Sequence, residues 1–194
     1  MHTKAKWLAG LTLAFCFSSA NAVIVSVNDW SYIKGVGDTS TTLFRVTETF
    51  TTAAELGGTD NLYQYTIENL STDLTASLFR ISNPGNLSRT MTGPTSWTER
   101  VVQNFLWETF TPTDYLAPGG SLSGFEILTP GLIPDLTFSA YGYSGVGWIM
   151  ATNAQGERID VFGEVTRASV PEPASFLLLG LGLIGMGLAK RYNQ

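Results

Sequence analysis

From Val23 to about Arg167 the apolar positions recur with a period of two, in segments rich in Thr, Val, Ile and aromatics that Gly, Pro, Asn and Asp clusters interrupt. Alternation places every second side chain on one face of a pleated ribbon, so this pattern predicts half-buried strands. Nine are read from it: Val23 to Val27, Leu43 to Thr51, Leu62 to Asn69, Leu74 to Ile81, Arg100 to Phe110, Leu122 to Leu128, Leu136 to Tyr141, Gly147 to Thr152 and Ile159 to Val165. The cleanest puts Tyr63, Tyr65 and Ile67 on one face with Gln64, Thr66 and Glu68 on the other. Asn69 to Asp73 follows as a turn, with Leu74 to Ile81 as its hairpin partner. Phe44, Val46 and Phe50 line one face of their strand, and Glu48 falls among them. No segment carries a convincing helical period and no repeat is visible. The expected fold is therefore all-β, an antiparallel β-sandwich over residues 23–169.

The two ends break this pattern. Lys4 and Lys6 precede an apolar run from Trp7 to Phe17, which gives way to Ser18–Ala22. A positive region, a short apolar core and small residues at Ala20 and Ala22 make a secretory signal peptide over residues 1–22, with cleavage by signal peptidase before Val23. About 11 apolar residues are too few to span ~30 Å of hydrocarbon. At the other end no charge interrupts Ala174 to Ala189, a helix of about 24 Å, and Lys190 and Arg191 follow it. Flanking polar groups can stretch so short a span, and the two cations stay cytoplasmic, which puts the domain across the membrane in agreement with the signal peptide. Residues 171–173 are Pro-Glu-Pro. Their prolines keep the apolar helix from extending outward and hold the chain extended at the membrane surface.

Pro171-Glu172-Pro173, then an apolar segment, then Lys190-Arg191, resembles the PEP-CTERM sorting signal throughout residues 171–191. That resemblance implies a substrate rather than a catalyst: in Gram-negative bacteria that make exopolysaccharide, an exosortase in the inner membrane reads the signal and cleaves near it. The segments Tyr65–Ser71 and Pro118–Phe125 resemble, more loosely, the β-sandwich ectodomains of many such proteins.

Composition narrows the chemistry. Residues 23–170 hold seven basic and fifteen acidic side chains, a net charge of −8, which argues against a nucleic-acid partner. The only cysteine is Cys16 and the only histidine His2, so the mature chain has no disulfide, no thiol nucleophile, no Cys or His metal ligand and no Ser/His/Asp triad. Glu99, Glu108, Asp114 and Glu126 are the carboxylates that a glycoside hydrolase would have to draw on, and Asp29, Asp38, Asp60 and Asp135 those available to calcium, without any Asp-x-Asp loop. Trp30, Trp97, Trp107 and Trp148, with Tyr141 and Tyr143, are candidates for a sugar-stacking platform. Trp107, within a strand, reads as core, whereas Tyr141, Tyr143 and Trp148 flank a Gly-rich stretch and are the stacking candidates.

The expectation is thus a non-enzymatic protein with no cofactor and no metal, associated with exopolysaccharide at the cell surface or in the matrix. A carbohydrate-binding module is the alternative, and a carboxylate-based hydrolase the third reading.

Overall fold

The computed structural model describes residues 23–101 and 104–167. The expected signal peptide with Ala20 and Ala22, the Pro171–Pro173 motif, the apolar segment 174–189 and Lys190 and Arg191 all lie outside them. No helix among the described residues is long and apolar enough to cross a membrane.

The strands in chain order are β1 (Ile24–Trp30), β2 (Tyr32–Ile33), β3 (Gly37–Asp38), β4 (Phe44–Thr51), β5 (Asn61–Asn69) and β6 (Thr75–Ser82). There follow β7 (Thr90–Thr92), β8 (Thr98–Val101), β9 (Asn104–Glu108), β10 (Ser121–Thr129), β11 (Gly147–Thr152) and β12 (Arg158–Gly163). They form two sheets whose pairings are all antiparallel, one in the order β1-β4-β5-β10-β7 and the other β3-β2-β12-β11-β6-β9-β8. Alternation does what the sequence predicts. Every second residue of β4 and β5 is buried, and Val46 faces Ile67 while Phe50 faces Tyr63 across the pair.

An aromatic cluster joins the two sheets. Tyr65 and Phe125 of the first meet Phe79 and Trp107 of the second, with Phe79 and Trp107 stacked at 5.4 Å and Phe125 edge-on to Phe79 at 5.2 Å. Trp97 closes the group edge-on to Phe125. Such pairs contribute about 0.5–1.5 kcal/mol each beyond burial, and all five rings are buried. Trp30, Trp97 and Trp107 are therefore core, and each indole N–H donates to a backbone carbonyl, of Glu164, Asp114 and Thr92 respectively. They offer no stacking surface.

Three strand expectations need correction. Leu74–Ile81 is not the hairpin partner of β5, because β5 and β6 belong to different sheets. The buried Asn69 side chain donates to the carbonyls of Leu74 and Leu116 and accepts from Ser71, so the chain turns across the sandwich instead of back along its own sheet. Arg100–Phe110 is not one strand but parts of β8 and β9, which pair with each other. Leu136–Tyr141 keeps only a bridge from Leu136 to Val165 before a short helix, α2 (Phe138–Tyr141). There the Thr137 hydroxyl caps Ala140 N–H, and Glu164 accepts from Phe138 N–H at 2.7 Å. A second one-turn helix, α1 (Ala53–Leu56), is closed at its start by a reciprocal Thr52–Glu55 capping box.

Candidate functional site

Two regions concern function: the end of the sandwich where the chain leaves toward the motif, and an outer face that carries aromatics and cations.

At the exit end, Glu48 occupies an inner-face position of β4 directly opposite Tyr65. A carboxylate there needs a partner, because an unpaired buried charge is costly. Arg167 supplies it at 2.8 Å, with side chains 14% and 2% exposed for Arg167 and Glu48. The guanidinium also donates to the Pro134 carbonyl and lies over the Tyr63 ring, 5.3 Å from its centroid. Its backbone N–H donates to Asp135, and the preceding Thr166 donates to Asn28 through both N–H and hydroxyl. Burial works against the Arg167 charge, but the fields of Tyr65 and Glu48 outweigh it and hold its pKa above the ordinary arginine value. In the sequence, Arg167 to Ser169 reads as the linker that follows the domain. The structure instead makes it the last buttress of the sandwich.

Burial raises the phenol of Tyr65 well above its usual range, and Glu48 adds to the effect. Tyr63 is raised too, chiefly by burial, partly offset by its bond from Ile133 N–H. In each the folded pKa exceeds the unfolded value near 10, so their contribution is intact below that pH and is lost as pH rises through the folded values. An alkaline absorbance titration should therefore show two tyrosines that ionise only together with loss of the folded signal.

On the outer face, cross-strand register builds a row. Tyr32 of β2 pairs with Phe162 of β12, Phe162 with Trp148 of β11, and Trp148 with Arg80 of β6. Their chain neighbours Val161, Ile149 and Phe79 are fully buried, which sends the row's side chains to the other face. Arg80 and Arg158 lie over the Trp148 ring at 4.9 and 5.4 Å, and Trp148 stacks on Phe162. Arg158 is itself held by a two-point bond to Asp160, two residues along the same strand and so on the same face. Burial pulls the Arg80 pKa below its ordinary value, with Asp160 acting the other way. A 3-10 turn, Tyr143–Gly145, brings Tyr143 over this face, 49% exposed and stacked on Tyr32 at 4.6 Å. Tyr143 and Trp148 thus line one cleft, together with Lys34, Arg80 and Arg158. Tyr141, 37% exposed, does not line it. The basic residues of this cleft carry no signal in the sequence, since only strand register assembles them.

Four of the candidate carboxylates are engaged separately. Glu108 pairs with Arg100 on the second sheet, while Glu126, on the first, accepts from Gln64 and Thr92. Asp29 is bound at two points by Arg45, whose hydrogen bond holds its pKa below the usual carboxylate value, and Asp135 caps Arg167. Among the described residues no group of three acidic, His or Cys side chains is arranged to hold a metal ion.

No curated protein and no solved structure gives a significant match to the chain. A family scan does: residues 169–191 match the PEP-CTERM protein-sorting motif. The match begins two residues beyond the buried Arg167 and takes in Pro171, Glu172, Pro173, Lys190 and Arg191. The chain therefore carries a PEP-CTERM sorting signal, which marks it as a substrate for exosortase and for export to the cell surface.

Proposed function

We propose that this is a non-enzymatic surface or matrix protein, exported behind a signal peptide removed after Ala22, held in the inner membrane by residues 174–189, cleaved near Pro171–Pro173 and then associated with exopolysaccharide. The observation that carries this reading is the order of parts: a β-sandwich closed by its own last residues, followed almost at once by the sorting motif. The absence of His and Cys from residues 23–170 and the separate engagement of Glu108 and Glu126 favour a binding or structural role.

Intact mass of the protein recovered from its native cells, fractionated into inner membrane, outer membrane and medium, tests it. A species running from Val23 to the neighbourhood of Pro173, outside the inner membrane, is expected. One that retains Lys190 and Arg191 in the inner membrane would overturn it. Replacing Pro171, Glu172 and Pro173 by alanine should leave the tail uncleaved and the protein in the inner membrane. Ala22→Arg should block removal of residues 1–22, because signal peptidase admits only small side chains at that position.

A second reading, a carbohydrate-binding module, is favoured by the exposed Tyr143 ring at a cleft where Trp148 carries two of three neighbouring cations. Flat apolar faces next to hydrogen-bonding groups are what a sugar ring requires.

A further inference from the structure

We propose that the cleft between Tyr143 and Trp148 binds the carboxylate-bearing sugar units of an acidic polysaccharide, with Arg80, Arg158 and Lys34 on the carboxylate and Tyr143 against the sugar's apolar face. The proposal rests on the carbohydrate-binding reading and deepens it by naming the ligand class.

Charge distribution is the first argument. Residues 23–170 carry only seven basic side chains against fifteen acidic ones, yet three of the seven line this cleft and face a single carboxylate, Asp160. A solvated surface of net charge −8 has no reason to gather its scarce cations in one place. Such a cluster focuses a positive field where the rest of the domain repels anions.

Preorganisation is the second. Arg80 and Arg158 are laid on Trp148, and Asp160 fixes the second of them from the side. Guanidinium groups fixed in this way have already lost most of the rotamer freedom that binding would otherwise cost. Asp160 takes the Nε–Nη2 edge of Arg158 and leaves its Nη1–Nη2 end for a ligand carboxylate, which accepts in pairs. Trp148 acts here by aiming the guanidiniums, since they cover its ring, and the exposed aromatic surface is that of Tyr143.

Size is the third. The cleft measures about 290 Å³, at the small end for ligand sites, which fits one or two units of a long chain. Affinity for a polymer then comes from repetition along it.

The test is affinity electrophoresis of the full chain in mild detergent through gels containing polygalacturonate, its fully methyl-esterified form, or dextran sulfate. Retardation by polygalacturonate, at least about tenfold stronger than by the neutral ester, is expected. Lys34→Gln combined with Arg158→Gln alters two exposed side chains, Arg158 being 58% exposed, and should weaken that retardation by a similar factor with an unchanged melting temperature. Equal retardation by the ester would overturn the carboxylate proposal and leave the sugar-binding reading standing. No retardation by either uronate polymer would overturn both. Retardation by dextran sulfate alone would show charge attraction without sugar recognition and overturn the proposal. A double variant that binds polygalacturonate as well as the parent would do the same.

Discussion

Glu48→Gln should lower the melting temperature of the domain by roughly 10 °C. The substitution keeps the side chain's shape and removes only its charge, leaving Arg167 in a site of low solvent access with its main counter-charge gone. Breaking one partner of a buried pair costs about 3–5 kcal/mol, and in a domain of this size each kcal/mol shifts the midpoint by a few degrees. Replacing both partners, Glu48→Leu with Arg167→Met, should recover much of the loss, because two apolar side chains leave no charge to desolvate. A thermal melt of the two variants beside the parent decides the matter. If Glu48→Gln melts with the parent, the pair contributes nothing to closing the sandwich. The single variant should also become sensitive to protease around residues 164–167, where the chain would no longer be held.

Gly163→Ala should cost about 3 kcal/mol from one added methyl group. Gly163 and Gly147 are cross-strand partners on β12 and β11, and the fully buried Trp30 ring lies directly on both. A Cβ built on either falls well inside contact distance of that ring. Gly163 has an ordinary backbone conformation, so the penalty is steric rather than conformational. Trp30 cannot withdraw without giving up its bond to the Glu164 carbonyl and its contact with Phe79. Trp30→Leu introduced with Gly163→Ala should therefore show a smaller combined loss than the two single losses added together. A double-mutant cycle on urea midpoints measures this coupling. Strict additivity would mean that the two residues do not share the space the structure gives them.

Much of this architecture could be read from alternation alone. The segments 43–51 and 62–69 carry a clear period of two and fold as β4 and β5, while the almost wholly apolar 147–152 folds as β11. β2, β3 and β7 span only two or three residues and contain no period to detect. The Thr52-Ala53-Ala54-Glu55 signature of α1 is present in the sequence, but a single turn of helix has no apolar repeat to draw attention to it. The turn at Asn69 looks like a hairpin because its residues favour turns. What sends the chain to the other sheet is a pair of hydrogen bonds, one of them to Leu116, 47 residues away. Glu48 on a core face signals a buried partner without naming it, since Arg167 lies 119 positions further on. The same holds for the outer cleft. Tyr143 and Trp148 stand out in a Gly-rich stretch, whereas Arg80 and Arg158 reach them only through strand register.

The anchoring of Arg167 sets the length of a leash. Only three residues separate it from Pro171, so even fully extended chain gives at most about 14 Å between the two α-carbons. On the proposed reading, whatever cuts at the motif works within that distance of a folded wall. A bulky insertion at that end, beside the exposed Leu132, would therefore obstruct such cleavage without touching the motif. Six added glycine and serine residues after Arg167 would relieve the obstruction.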